Sequence, residues 1–158
     1  MNVIFLDFDG VVNIPMWYKD ENEEWDCDYG MPKDGKVNCE QAVQWVSEFC
    51  ERFNYSIVVS STWRTGENFD YAKCLYNSGL RSGIKVIGAT PRLYGERGEE
   101  ISKWLSENPD VENYLIFDDD TDMGEHINRL VKCNSVIGFT ADSFNYATQL
   151  HKAFVKGE

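Results

Sequence analysis

Soft-metal ligands are sparse in this 158-residue chain: it has two histidines and five cysteines, and no two cysteines form a Cys-x-x-Cys pair. An odd, unclustered set (Cys27, Cys39, Cys50, Cys74, Cys133) suits a reducing compartment, where each is a small buried hydrophobe or a surface thiol. Long apolar runs are also missing. The first, Val3 to Leu6, is cut by Asp7 and Asp9, so the sequence shows neither a membrane span nor a signal peptide and a cytoplasmic protein is expected. Basic residues are few, 15 against 27 acidic ones, giving a net charge of −12. A field of that sign repels a polyanion over a Debye length of about 10 Å, which excludes a nucleic-acid coating protein and leaves recognition of a strand end open. Repeats and low-complexity tracts are absent. Disorder is excluded as well, because 42% hydrophobic and 27% charged residues are ordinary for a globular chain. The length fits one domain over 1–158 with a core of its own.

Along the chain, Val3-Ile4-Phe5-Leu6 reads as a buried strand that ends in Asp7-Phe8-Asp9-Gly10. Asn13 to Lys36 loses all periodicity, carrying Pro15, Gly30, Pro32, Gly35 and the acidic cluster Asp20 to Glu24 among Trp17, Tyr18 and Trp25; it reads as a flap. Asn38 is placed to cap a helix whose apolar positions run from Ala42 to Phe53. Tyr55 to Val59 is a strand breaking at Ser60-Ser61-Thr62, a second helix is expected from about Asn68 to Asn77, and Ile84 to Ile87 is a third strand. A third helix from about Gly98 to Asn108, a strand Tyr114 to Phe117 ending in Asp118-Asp119-Asp120, and helices near Asp122 to Lys132 and Ala141 to Phe154 complete the pattern. A short strand is expected at Val136 and Ile137. This alternation predicts an α/β fold with a doubly wound parallel sheet, whose ligands bind beyond the carboxyl ends of the strands.

Those ends carry Asp7 and Asp9, Ser60 and Ser61, and Asp118 to Asp120. Carboxylates gathered so closely need a cation or a shared proton, and oxygen-only ligands favour Mg²⁺. Serine hydroxyls beside them can hold phosphate oxygens, which makes a phosphoryl-transfer site one reading. The plainer readings are a turn or cap at Asp7 and Asp9, a turn at Ser60 to Thr62 and a helix cap at Asp118 to Asp120.

In these residues the chain resembles the haloacid dehalogenase (HAD) superfamily of phosphatases. Asp7-Phe8-Asp9-Gly10-Val11-Val12-Asn13 looks like its first motif, Val58-Val59-Ser60 like its second, Arg97 in Arg97-Gly98-Glu99-Glu100-Ile101 like its third, and Phe117-Asp118-Asp119 like its fourth, all in the family's order. Ser60-Ser61-Thr62-Trp63-Arg64 and the Arg97 segment further resemble the small HAD domains of RNA-repair proteins and the 3′-phosphatase half of phage polynucleotide kinase. The resemblance implies an essentially capless HAD-like Rossmannoid with a short flap, and a Mg²⁺-dependent phosphatase acting through an aspartyl-phosphate. It implies Asp7 as nucleophile, Asp9 as acid and base with its carbonyl toward the metal, and Ser60, with Ser61 beside it, on a phosphoryl oxygen. Arg97 would balance charge, with Arg92 and Lys103 as substitutes, Asp119 would ligate metal with Asp118 beside it, and Asp122 would stand behind them.

Arg64 and Trp63 are read either as lining the site or as a surface ion pair and a core aromatic, and His126 and His151 as surface residues. Trp17 and Trp25 either stack on a base or pack the flap onto the core. Small-metabolite HAD phosphatases usually carry a cap domain, so an open site suits a bulkier phosphorylated substrate, an RNA or DNA end, a nucleotide or a phosphoprotein. Competing readings are a Mn²⁺ glycosyltransferase, disfavoured by length, a receiver-type phosphoacceptor, whose motif order is reversed, and a non-catalytic phosphate-binding module.

Overall fold

Every position of Val3 to Leu6 is apolar because both faces of the strand are covered. In the computed structural model, which describes residues 1–29, 35–66 and 69–155, this run is strand β1 (Asn2–Leu6) at the centre of a five-stranded parallel sheet. Strands β2 (Met16–Lys19) and β3 (Trp25–Asp28) form a separate antiparallel hairpin, and β4 (Tyr55–Val59), β5 (Val86–Ala89), β6 (Asn113–Asp118) and β7 (Leu130–Lys132) join β1 in the order β5-β4-β1-β6-β7. The helices are α1 (Glu40–Phe53), α2 (Tyr71–Asn77), α3 (Arg97–Glu107) and α4 (Ala141–Phe154). Gly30 and Pro32 of the expected flap, Asn68 at the expected start of α2, and residues 156–158 lie outside the described residues. Among the described residues no helix is long and apolar enough to cross a membrane.

Successive side chains of a strand point to opposite faces, and the core divides accordingly. Ile4, Leu6, Ile57, Val59, Leu115 and Phe117 pack with α1, α2 and α4; Val3, Phe5, Val58 and Ile116 pack with Ile101 and Trp104 of α3. The chain moves from β1 through β4 to β5 and then returns past β1 to β6. Parallel crossovers keep one hand, so this reversal carries α3 to the opposite face. β1 thus lies at the switch point, where the outgoing and returning halves of the sheet part.

Five expectations change. The Asn13 to Lys36 segment contains a β-hairpin; its strands alternate over too few residues, all of them exposed, to register as periodic. Asn38 does not cap α1. Its side chain clasps the backbone of Ile14, accepting from the N–H at 2.7 Å and donating to the carbonyl at 2.6 Å, and Cys39 takes the cap position without a side-chain bond. The third strand starts two residues late, with Ile84 turned into the core and an irregularity between Ile57 and Val58 shifting the register. No α-helix spans Asp122 to Lys132: a 3₁₀ turn (Gly124–Arg129) leads into β7, because Leu130 and Val131 bury better as a strand against Ile116 and Phe117 of β6. Val136 and Ile137 are exposed in a turn built on Asn134.

Candidate active site

Leu6 lies opposite Val59 on one side and Phe117 on the other. One residue further, Asp7, Ser60 and Asp118 therefore leave the sheet side by side, held by Asp7 N–H to the Phe117 carbonyl (3.0 Å) and Ser60 N–H to the Leu6 carbonyl (2.9 Å). After Asp7 the chain turns sharply. The Phe8 carbonyl accepts from the N–H groups of Val11, Val12 and Asn13, and Gly10 adopts φ +80. A Cβ at Gly10 would sit 2.3 Å from the Asp119 Oδ2, so glycine is needed here both for the backbone and for the approach of Asp119.

Asp7, Asp118 and Asp119 each offer a carboxylate oxygen, and the three oxygens lie within 4.8 Å of one another. Burial raises Asp7 to about 6, against Arg97, which pulls it down, and with Asp119 and Asp9 adding to the rise. Burial also raises Asp118, to about 8, with the Asp7 charge second. Both values say that the site wants positive charge. Arg97 supplies some, its Nη1 lying 4.0 Å from Asp7 Oδ1 and its Nε 3.9 Å from Asp118 Oδ2. A hard cation among three carboxylates would supply the rest, and the oxygen donor set fits Mg²⁺.

Four buried polar side-chain atoms have no hydrogen-bond partner among the described residues: Ser60 Oγ, Thr90 Oγ1, Arg97 Nη1 and Asp118 Oδ2. Buried polar atoms are ordinarily satisfied. Three of these belong to residues at the acidic cluster or the strand end beside it, two of them donors for an anion and the third an acceptor for a cation. Arg97 is aimed by the first turn of α3: its N–H donates to Asp122 Oδ2 at 3.0 Å and that of Gly98 to the Asp122 carbonyl at 3.0 Å. A Cβ at Gly98 would lie 2.2 Å from the Met123 carbonyl oxygen, so the helix end reaches this loop only because residue 98 lacks one.

The carboxylate of Asp9 is outside the three-acid cluster. Its Oδ1 accepts from Asn13 Nδ2 and its Oδ2 from Trp63 Nε1, both at 2.9 Å. Trp63 thus lines the site while also packing on Phe69. The Ser61 hydroxyl accepts from the Trp63 N–H and caps the 3₁₀ turn Thr62–Thr65. Arg64 departs from the expectation of a substrate contact and from that of a surface pair. Its Nε donates to the Thr90 carbonyl, its Nη1 to those of Ser60 and Ser61, and its Nη2 to Pro91 and, at 2.5 Å, to Glu100 Oε2. All five guanidinium protons have acceptors within the protein, leaving none for a ligand. Glu100 also accepts from the Leu93 N–H. The buried pair braces the Ser60 loop, the exit of β5 and the helix bearing Arg97 as one unit.

Lys103 pairs with Glu107 on the surface, and Arg92 lies over Tyr94 with a bond to Thr65; Arg97 is the basic side chain the fold brings to Asp7. Asp120 accepts from the Thr121 N–H and does not join the cluster. The histidines are not surface residues. His126 is buried between the hydroxyls of Ser102 (2.7 Å) and Tyr114 (2.6 Å), and His151 accepts or donates at 3.0 Å with Tyr55. Asn13, Glu100 and Thr90 escaped the sequence reading. Asn13 stands inside the first motif and Glu100 one helical turn after Arg97, spacings that put them in reach of functional residues; Thr90 carried no such signal.

Comparison with curated proteins and with solved structures returned no match. A family model described as "HAD domain in Swiss Army Knife RNA repair proteins" matches residues 3–144, from β1 into α4 and across every strand end described above. Five parallel strands between helices are the Rossmann-like arrangement such a domain requires. The chain belongs to the HAD domains of Swiss Army Knife RNA repair proteins.

Proposed function

We propose that the chain is a Mg²⁺-dependent phosphomonoesterase of the cytoplasm that acts on the phosphorylated end of a nucleic acid through an aspartyl-phosphate on Asp7. The observation that carries this reading is the pairing, at one sheet edge, of a largely buried three-carboxylate cluster with buried donors on Ser60 and Arg97 that have no hydrogen-bond partner among the described residues.

In this reading Ser60 Oγ and the Arg97 guanidinium hold non-bridging phosphoryl oxygens, and Asp7 attacks phosphorus. Arg97 lies near both the nucleophile and the acids behind it, so it stabilises charge as the phosphoryl group moves. Asp9 gives its proton to the leaving oxygen as the ester bond breaks. It then takes a proton from water, which attacks phosphorus, releases inorganic phosphate and restores Asp7. Its two bonds, from Asn13 and Trp63, fix the carboxyl for both transfers. Asp7, Asp118, Asp119 and the Asp9 carbonyl would hold Mg²⁺, which when bound neutralises the carboxylates and polarises the phosphoryl group.

A nucleic-acid end is supported by the family's description and by the small size of the β2–β3 hairpin inserted after the first strand. The test is phosphate release from 3′- and 5′-phosphorylated oligonucleotides, mononucleotides and phosphopeptides, with Mg²⁺ and with EDTA. Release from an oligonucleotide end that needs Mg²⁺ is expected. Phosphate binding without release would instead favour a non-catalytic module.

A further inference from the structure

The hairpin β2–β3 leaves two tryptophans in water. Trp17 is 62% and Trp25 68% exposed, which rules out the packing of the flap onto the core through either ring. The pairing register explains where they go. Trp17 stands opposite Cys27 and Lys19 opposite Trp25, so these four share one face; Met16, Tyr18, Asp26 and Asp28 share the other. The two rings lie two rungs apart, about 7 Å along the ribbon at the usual strand rise. Lys19 Nζ sits 5.6 Å from the centroid of Trp25. One face thus carries two indoles and a cation, and the two carboxylates of β3, Asp26 and Asp28, stand on its reverse.

The foot of this ribbon is part of the candidate active site. Asn13 Nδ2 donates both to Asp9 Oδ1 (2.9 Å) and to the Tyr29 carbonyl (3.1 Å), joining the two legs of the hairpin at the Asp9 carboxylate. Asn38 clasps Ile14 on the way up. The first indole is one rung above the Met16–Asp28 pair that opens the ribbon.

We propose that the Trp17, Lys19 and Trp25 face is a stacking platform for the last bases of a single-stranded nucleic acid whose terminal phosphate lies in the candidate site. Aromatic faces stack on any base, and a cation beside them favours the phosphate between, the combination by which sequence-tolerant single-strand binders work. The acidic turn at the tip, Asp20 to Glu24, limits the occupant to a few nucleotides, which agrees with the net charge of −12. This inference rests on the phosphatase reading for the position of the strand's end, and its test separates the two.

Affinity for a fluorescent four-nucleotide single strand with a terminal phosphate is measured by anisotropy, with no turnover required, alongside Mg²⁺-dependent hydrolysis of that strand and of p-nitrophenyl phosphate. Trp17→Ala and Trp25→Ala should each weaken binding about tenfold. The oligonucleotide to p-nitrophenyl phosphate ratio of kcat/KM should fall by a similar factor, and the melting temperature should hold. If the wild type hydrolyses p-nitrophenyl phosphate but does not bind the oligonucleotide, or if the double variant binds it as well as the wild type, the platform is wrong and the site reading survives. Tryptophan-dependent binding without hydrolysis of any phosphate would keep the platform and overturn the phosphatase. A wild type that sediments as a dimer, with the double variant monomeric and unchanged in oligonucleotide affinity, would assign the face to self-association and overturn the proposal.

Discussion

At the scale of single residues, groups left without a hydrogen-bond partner beside the acidic cluster, such as Ser60 Oγ and Arg97 Nη1, differ from groups whose bonds all go inward. Arg64 and Glu100 are charged and beside the site, but their bonds go inward, to four carbonyls, one N–H and each other. Arg64→Ala would leave Glu100 buried without its partner, a change that costs about 3–5 kcal/mol in comparable pairs. Urea unfolding should show the loss as a lower midpoint, and an unchanged midpoint would mean the pair is not the brace described. Gly10→Ala should fail differently. It places a methyl group on Asp119 and strains a positive φ, so Mg²⁺ dependence should shift to higher concentration as well as stability falling, and titration of activity with Mg²⁺ reads the first effect directly.

At the scale of elements, α1 shows how a periodic face becomes a core. Ala42, Val43, Val46, Phe49 and Cys50 are buried at three-and-four spacing, and Phe49 meets Phe53, Tyr55, Phe117, Phe144 and the His151 ring. Phe49→Ala should cost about 3–5 kcal/mol by emptying the junction of α1, α4 and the sheet. Elements with strong local signals were legible in the sequence: α4 has the bounds its pattern implies, and a Thr140–Ser143 capping box starts it. β7 was not legible. Leu130 and Val131 are too short a run to declare a strand, and the open edge of β6 decided their conformation from outside the segment. The hairpin was hidden for a related reason, since neither of its strands buries a face. At the candidate site the motif residues were readable because strand ends are punctuated by polar groups. The bonds that orient Asp9 and brace Arg97 were not, because Trp63, Asn13 and Glu100 arrive through tertiary contacts.

At the scale of the whole molecule, charge and the sheet edge act together. Without metal, Asp7 and Asp118 bind protons up to about 6 and about 8, against an ordinary value of 3.8. Between those limits the folded chain holds more protons than the unfolded one, so stability falls as pH rises. The repulsion of the −12 net charge has the same sign. In EDTA the melting temperature should therefore be higher near pH 5 than at pH 8, and Mg²⁺ should add more at pH 8. Burial pushes His126 down, which works in the opposite sense in acid. Asp118→Asn separates the two by flattening the slope that belongs to the site and leaving that of His126. A wild-type melting temperature in EDTA that climbs from pH 5 to pH 8, or the same slope in Asp118→Asn, would contradict the electrostatic picture.

In the proposed mechanism Asp7 carries the phosphoryl group, a step that can be examined at that residue. An acyl phosphate trapped by acid quench during turnover with Mg²⁺ and a phosphorylated oligonucleotide is reduced by borohydride to an alcohol, which mass spectrometry locates in the peptide. Homoserine is expected at position 7 in the wild type only when substrate and Mg²⁺ are both present, with no turnover in Asp7→Asn. Turnover with no modification at position 7, or an Asp7→Asn protein that keeps more than about a tenth of the rate, beyond what the loss of a nucleophile allows, would contradict that mechanism.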